Sequence, residues 1–460
     1  MKHIHLIGIC GTGMGSLAGL LVEAGYTVSG SDTAFYPPMG EQLKKLPITL
    51  CEGFKPNNLH PTPDLVVIGN VASKNNPEVE AVLAQGIPYV SLPQALNQFF
   101  LKNKKSLVVA GTHGKTTTSN LLAWVLTQAD LNPGFLIGGV GLNFGKSYNV
   151  GQGDFFVIEG DEYDTAFFDK RPKFVHYQPF GAILTSIEWD HADIYPTFEK
   201  AIDAFRQFMG TLQKNSILLA WEESPVISQL TTPPPAKIFR YGLKRGDYCA
   251  EQIVENGQGT RFTLIHQNEK IPMQWNLTGT HNLENALAVA GLCHQLGVSW
   301  KKIQTGLATF KGVKRRQEIV GEKNGVTVID DFAHHPTAVK RTLEAIRARY
   351  PDKRLWAVFE PRSNTSRRNI HAQQYAGAFD SADHVILAGL YHPEKIPEGE
   401  RLDIPQLAEN LKQKGIDAHP LTGTDAILEF ILRGITARDA VLFMSNGDFD
   451  NIHRKLLERI

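Results

Sequence analysis

The sequence predicts three α/β units in one chain, the middle one carrying a small antiparallel sheet. Three observations predict it. The length of 460 residues exceeds what a single core holds, so about three domains of roughly 150 residues is the natural division. Apolar strands alternate with helical patterns over 1–101, again from 106, and again from 325, as parallel sheets covered on both faces require. Around 220–275 the texture changes to short alternating runs, R-F-T-L-I-H at 261–266 and P-M-Q-W-N-L at 272–277, separated by P-P-P and N-G, which predicts antiparallel hairpins.

The first unit has predicted strands at 4–9, 27–30, 65–69 and 89–90, with helices at 14–24, 78–84 and 93–101. K-N-K-K at 102–105 reads as a polar hinge. The second unit has strands at 106–110, 155–158 and 182–185, a helix from Lys115 and another at 283–296, and F-K-G-V-K-R-R at 310–316 reads as a second hinge. In the third, strands at 327–331, 354–359, 384–388 and 440–445 alternate with helices at 336–350 and 369–378. The expected domains are therefore 1–104, 105–312 and 313–460.

Lys+Arg equals Asp+Glu at 47 each, which removes any charge argument for nucleic acid or an acidic membrane. The four cysteines, Cys10, Cys51, Cys249 and Cys293, show no C-x-x-C spacing and suit a reducing compartment. M-K-H-I-H-L-I-G runs from strand to turn without a charged-then-apolar leader, and no 18-residue apolar run follows, so a cytoplasmic protein is expected.

The stretch Ala110–Asn120, A-G-T-H-G-K-T-T-T-S-N, has the layout of a phosphate-binding loop: buried strand, glycine turn, helix. Glycines let backbone N–H groups close on phosphate oxygens, Lys115 can reach the terminal phosphates, and the Thr116 hydroxyl can hold Mg²⁺. The usual pattern wants glycine at 109, where this chain has Val109, so the bare pattern leaves an ordinary strand-to-helix turn open. The N-terminal turn, with Gly8, Gly11, Gly13 and Gly15, also follows a strand and opens a helix, and Asp32 ends the next strand. A dinucleotide site, a nucleotide-sugar site and a structural turn all remain open there, because Ser16 stands where a strict G-x-G-x-x-G wants glycine.

F-F-V-I-E-G-D-E-Y-D at 155–164 gathers Glu159, Asp161, Glu162 and Asp164 at a strand end, where four acids would repel one another without a cation. I-L-T-S-I-E-W-D-H ends a second strand in Glu188, Asp190 and His191, and the two ends together predict a Mg²⁺ site; a solvated acidic loop is the alternative. His281, Asn282 and Asn285 open a helix at a spacing that could flank an adenine, though Asn282 also suits an N-cap. D-D-F-A-H-H-P at 330–336 ends a strand in two acids and places two histidines before a helix-starting proline. E-P-R-S-N-T-S-R-R at 360–368 offers Arg362, Arg367 and Arg368 to carboxylate ligands.

Taken in order, G-I-C-G-T-G-M-G, G-T-H-G-K-T-T-T, E-G-D-E-Y-D, E-W-D-H-A-D, H-N-L-E-N-A, G-V-K-R-R and D-D-F-A-H-H-P resemble the ATP-dependent Mur ligase family across all three units. The resemblance implies an N-terminal Rossmann-like domain binding a UDP-sugar, a central P-loop ATPase-like domain and a C-terminal Rossmann-like domain binding a peptide. Y-P-P-M (36–39), I-G-N-V (68–71), E-Y-D-T-A-F-F-D-K-R-P-K-F-V-H-Y (162–177), E-P-R-S-N-T (360–365) and M-S-N-G-D-F (444–449) resemble the members that join L-alanyl-γ-D-glutamyl-meso-diaminopimelate to UDP-N-acetylmuramate in cell-wall recycling. The alternative is addition of free L-alanine to the same sugar during new peptidoglycan synthesis.

The resemblance further implies roles for single residues. Gly11, Thr12, Gly13, Met14 and Asp32 would hold the UDP-sugar. Gly111, Thr112, His113, Gly114, Lys115, Thr116 and Thr117 would hold ATP phosphates, with His281 and Asn285 at the adenine, Asp331 at the ribose, and Arg315 or Arg316 reaching the phosphates from the C-terminal side. Thr116, Glu159 and His191 would bind Mg²⁺. His335 would lie near the reacting centre, so that Lys115, His191, Arg316 and His335 form the catalytic set, and Arg362, Ser363 and Asn364 would meet the peptide. Several members use a carbamylated lysine about fifteen positions after the metal-binding histidine. Here Arg206 stands at that position, and nearby Lys200 is not given the role. A carboxylate is a poor electrophile, so the sugar's lactoyl carboxyl would first take the γ-phosphoryl of ATP, and the third domain would close over the acyl phosphate to exclude water. A monomer or weak dimer is expected. A NAD-dependent oxidoreductase and a nucleotide-sugar sensor with a decayed ATP site compete as readings; the first leaves Lys115 and His191 unexplained, and the intact Lys115, Thr116, Glu159 and His191 oppose the second.

Overall fold

Apolar runs in the three units form three separate parallel sheets in a computed structural model that describes residues 2–35, 39–232 and 236–460. In the first, all five strands are parallel in the order Ile48–Glu52, Thr27–Asp32, His3–Ile7, Leu65–Ile68, Tyr89–Ser91. The chain switches direction across the sheet at His3–Ile7, which sets the glycine turn after it at the crevice where ligands bind open α/β sheets. Residues 36–38 of the Y-P-P-M run lie outside the described residues.

The central sheet has seven strands, ordered Lys237–Tyr241, Ile217–Trp221, Gly181–Leu184, Lys105–Ala110, Phe155–Gly160, Gly134–Leu136, Tyr148–Asn149. Only the last pair is antiparallel. Lys105–Ala110 lies in the middle, between Gly181–Leu184 and Phe155–Gly160, so the phosphate-type loop and both acid-bearing strand ends share one edge. The antiparallel sheet starts later than expected. Strands at 217–221 and 237–241 belong to the parallel sheet, and Cys249–Asn256, Gly259–His266 and Glu269–Trp275 form the appended meander.

Six strands make the C-terminal sheet: Glu318–Lys323, Val326–Asp331, Asp439–Met444, Arg354–Phe359, His384–Ala388 and Asp417–Leu421, all parallel except the first. The predicted helix at 369–378 is a short 3₁₀ turn followed by Ala372–Ala376. The helix at 93–101 is a single α-turn, Leu92–Leu96, continued by a π-turn at Asn97–Leu101, and Lys105 of the first expected hinge already belongs to a strand.

The units differ in how they meet. One hydrophobic cluster runs from Ile4 and Leu17 through Phe100 and Phe156 to Phe208, so the first two units share a core. The third unit keeps its own clusters around Phe359 and Phe443 and meets the centre through polar contacts. Among these are Ala192 N–H donating to Thr365 Oγ1 at 3.2 Å, Asn364 Nδ2 donating to Asp193 at 3.2 Å, and Thr337 Oγ1 donating to Glu188 at 2.6 Å. No helix among the described residues is long and apolar enough to cross a membrane.

Candidate active site

The carboxyl ends of the three sheets open on one cleft of about 1320 Å³, lined by Thr12 and Gly13 from the first unit, residues 112–117 from the second, and Arg316, Asp331 and Arg362 from the third. Local sequence explains the turn at its centre. Gly111 has φ +133°, and a Cβ there would stand 2.1 Å from Thr185 Oγ1. Gly114 has φ +78°, and a Cβ there would meet Asn285 Oδ1 at 2.7 Å, so the turn and the helix Thr280–Gln295 are in close contact. The loop is pinned to the neighbouring strand end by Thr112 N–H donating to Ser186 O (2.8 Å) and His113 N–H donating to Ser186 Oγ (3.0 Å).

Lys115 opens the helix Lys115–Gln128, and its Nζ donates to Gly111 O at 2.7 Å and to both Glu162 oxygens at 2.9 and 3.1 Å. Burial works against its charge, and Glu162 and Asp161 outweigh burial and raise its pKa. The Glu162 carboxylate thus engages the donors that a phosphate would use. Thr116 Oγ1 donates to Glu159 Oε1 at 2.6 Å, and Gly138 N–H donates to the other Glu159 oxygen at 2.5 Å. Thr117 is buried in the same first turn.

His191 sits with φ +55°, its Nδ1 2.8 Å from Tyr163 Oη and its Nε2 3.2 Å from Glu162. Burial would lower its pKa; the bond to Glu162 and the charges of Asp190 and Glu162 raise it. The four acids of 159–164 do not form one cluster. Lys173 pairs with Asp161 at 2.7 Å and holds it at about 2 despite burial, Lys170 pairs with Asp164 at 3.0 Å, and only Glu159 and Glu162 turn toward the loop. The repulsion predicted from sequence is relieved mainly by lysines, a partnership no local spacing announces.

The adjacent arginines of G-V-K-R-R part company. Arg315 has φ +60°, and its guanidinium folds back onto Asp330 (3.2 Å), Ser445 O (2.7 Å) and Gly447 O, which staples it into the third unit. Arg316 projects over Phe332, 4.7 Å from the ring, and reaches Thr116 Oγ1 at 3.5 Å; burial lowers its pKa. Of the two candidates, Arg316 faces the phosphate loop and Arg315 does not.

His281 is half-buried with its Nδ1 enclosed and unpartnered, and desolvation depresses its pKa to about 3. Asn282 is no N-cap, since Gly279 holds that position and the Asn282 amide donates to Thr278 O at 2.8 Å. Asp331 accepts from Gln317 N–H (2.7 Å) and Ala333 N–H (2.8 Å), so the backbone already engages both oxygens, and burial raises its pKa. His335 is the N-cap of Pro336–Arg349, with Nε2 unpartnered and a pKa pushed by burial to about 3.

Asp32 spends its oxygens on Cys10 N–H and Thr33 N–H, both at 2.8 Å, and so fixes the N-terminal turn; Gly11, Thr12 and Gly13 are solvent-accessible and Met14 packs beneath them. Arg362 donates to Asp448 at 2.7 Å and stacks 4.0 Å from the Tyr391 ring at the cleft wall, beside Ser363 and Asn364. Arg367 is buried on the carbonyls of Tyr391 and His392, and Arg368 pairs with Glu400, so neither is free for a carboxylate ligand. Arg206 and Lys200 are exposed beside Asp203, away from the cleft. Sequence reasoning gave no role to His371, whose Nε2 lies 3.1 Å from Trp189 O and whose ring meets His335 edge-on with centroids 4.7 Å apart.

Three parallel sheets around a phosphate-type loop define the ATP-dependent Mur ligase architecture, and family profiles match unit by unit. They are described as "Mur ligase family, catalytic domain" over 3–104, "Mur ligase middle domain" over 109–293 and "Mur ligase, glutamate ligase domain" over 315–447. The chain belongs to the Mur ligase family. It is 40% identical to the UDP-N-acetylmuramate–L-alanyl-γ-D-glutamyl-meso-2,6-diaminoheptandioate ligase of Escherichia coli, covering 99% of this chain and 98% of that one. The Haemophilus influenzae protein of the same name is 38% identical over 100% and 99%. A crystal structure of a murein peptide ligase from Psychrobacter arcticus superimposes with a TM-score of 0.74 at 36% identity, covering 100% and 98%. Relatives named UDP-N-acetylmuramate–L-alanine ligase match at 31% to 33%.

Proposed function

We propose that this chain is an ADP-forming ligase that joins L-alanyl-γ-D-glutamyl-meso-diaminopimelate to UDP-N-acetylmuramate. The observation that carries the reading is the convergence, on one cleft, of a glycine turn free of charged side chains, a lysine-bearing phosphate loop and an arginine wall from the third unit. The full-length match to tripeptide ligases, above the level of the alanine ligases, supports the peptide over free L-alanine.

In this reading, residues 1–104 bind the UDP-sugar through Gly11, Thr12, Gly13 and Met14, and Asp32 shapes their backbone. Residues 105–312 bind ATP, with Lys115 and Arg316 countering charge on the phosphates and His281 and Asn285 beside the base. Residues 313–460 present Arg362, Ser363 and Asn364 to the peptide. The donor set suits a hard divalent cation: Thr116 and Glu159 supply oxygens in contact, and His191 and Glu162 stand beside them. Mg²⁺ held there would neutralise charge during phosphoryl transfer. An oxygen of the sugar's carboxylate attacks the γ-phosphorus and ADP leaves. The peptide amine then attacks the acyl carbon, the carbon–oxygen bond to phosphate breaks, and the amine proton goes to solvent or a neighbouring base. Shielding the acyl phosphate from water requires the third unit to sit over the cleft, and its polar contacts suit a part that opens and closes at 310–314 better than the shared core suits movement at 102–105. ATP, a nucleotide sugar and four free cysteines fit the cytoplasm.

The test is ADP release with UDP-N-acetylmuramate and, in turn, L-alanine, L-alanyl-γ-D-glutamate and the tripeptide. Release is expected to be greatest with the tripeptide. Equal or better turnover with L-alanine would move the assignment to the amino-acid-adding reaction.

A further inference from the structure

We infer that, without nucleotide, His113, Glu188 and His335 form a binding site for one borderline-soft divalent ion of the zinc class, which clasps the third unit onto the central one. The ligand atoms of these three residues all lie within 4.8 Å of one another. His113 Nε2 is 3.4 Å and His335 Nδ1 3.5 Å from the same Glu188 oxygen. Two ligands on a tetrahedral zinc ion stand about 3.3 Å apart, so side-chain adjustment alone closes the site. Two imidazoles and one carboxylate favour Zn²⁺, Co²⁺ or Ni²⁺ over Mg²⁺, which prefers an all-oxygen octahedron.

A second observation points the same way. His335 and His371 are each at least nine-tenths buried, their rings 4.7 Å apart, and His335 Nε2 and His371 Nδ1 have no hydrogen-bond partner. The His335 nitrogen nearest Glu188 is Nδ1, which accepts from Thr337 N–H at 3.3 Å, so an ion bound through Nδ1 takes over that cap contact and one bound through Nε2 uses the unpartnered nitrogen. The outer layer is in place: Thr337 Oγ1 donates to Glu188 at 2.6 Å, and Trp189 O fixes His371. The positive end of helix Pro336–Arg349 opposes a cation here, and the charges of Glu188 and Asp190 offset it.

Placement gives the site its consequence. His113 belongs to the phosphate loop, Glu188 to the neighbouring strand end and His335 to the third unit. An ion on all three holds the units together and engages a loop residue that nucleotide would need. It is therefore an inhibitory clasp, separate from the Thr116, Glu159 and His191 set.

The experiment uses chelator-washed, nucleotide-free, full-length protein titrated with Co²⁺, following the visible ligand-field bands and Tm. One Co²⁺ per chain should bind and raise Tm, Zn²⁺ should displace it, and excess Mg²⁺ alone should not. His335→Ala should weaken Co²⁺ at least about tenfold, because even outer-layer losses cost that much. Unchanged affinity in that variant would place the ion elsewhere and overturn the assignment. Should His335→Ala prove poorly folded, the near-isosteric Glu188→Gln decides in the same way. Binding without a rise in Tm would refute the clasp.

Discussion

The chain contains two strand–glycine-turn–helix segments, and they have become different devices. The N-terminal turn is capped by Gly11 at an ordinary φ of −61°, and its helix carries no charged residue in its first turn. Its anchor, Asp32, spends its charge on backbone N–H groups. The central turn is capped by Gly114 at φ +78° and followed by Lys115, whose ammonium is enclosed by Glu162 and the Gly111 carbonyl. A helix N-terminus alone gives the first turn a modest field suited to a diphosphate already partly neutralised by its esters. Moving a phosphoryl group needs concentrated charge that can be exchanged between partners, which the second turn has. Under the proposed function, the same local fold serves holding in one unit and chemistry in the other.

The largest expected effect separates the two. Lys115→Ala should lower ADP release on the order of 10³-fold, since one preorganised charge at a phosphoryl centre is worth that much. UDP-sugar affinity, measured by calorimetry without ATP, should stay within a factor of about two. Loss of sugar binding in this variant would show that the turns are coupled. Next in size is the arginine pair. Arg316→Ala should reduce turnover about 10²-fold without lowering Tm, because a half-buried cation facing the phosphate loop is removed. Arg315→Ala should do the reverse, costing about 1–3 kcal/mol of stability by freeing two carbonyls and Asp330. Equal kinetic damage from both would undo the distinction drawn from their orientation.

That distinction shows what sequence could carry. Lys115, Thr116, Glu159 and His191 were legible because each stands at a strand end or helix start whose position follows from a local apolar run. Which neighbour of Arg315 and Arg316 meets the loop was not, because it depends on the left-handed turn at Arg315 and on Asp330, fifteen residues away. Glu162 was visible as an acid, but its partner Lys115 lies 47 residues back. His371 reaches Trp189 only through tertiary packing. Edge strands were lost for a related reason. Ile48–Glu52 is only half-buried, and Asp417–Leu421 contains a proline and alternating polar residues, so neither offers an apolar run.

The cleft should also report on itself through pH. His281 and His335 have folded pKa values near 3 against about 6.5 unfolded, so the unfolded chain binds more protons between those values. Their contribution is complete above about pH 6.5 and is lost as pH falls toward 3, at up to about 1.4 kcal/mol per pH unit for each imidazole. His191, raised instead, works in the opposite sense, and its contribution is lost only as pH rises above about 6.5. Asp161 and Glu188, held near 2, add their loss only below about pH 4.5. Urea midpoints of the parent and of His281→Asn should converge between pH 7 and 5; parallel curves would mean that His281 is not held neutral in solution.

The smallest effect returns to the quieter turn. Asp32→Ala removes acceptors from Cys10 and Thr33 N–H groups in a site that is 8% exposed, and an unmet buried donor costs about 1–3 kcal/mol. Access of solvent to the glycine turn puts the expected loss at the lower end, about 1 kcal/mol by urea denaturation. Under the proposed function the turn's backbone faces the sugar nucleotide and Lys115 sets kcat, so KM for UDP-N-acetylmuramate should rise several-fold while kcat changes little. A fall in kcat with unchanged KM would show that Asp32 acts on the central loop and that holding and chemistry are not divided between the two turns.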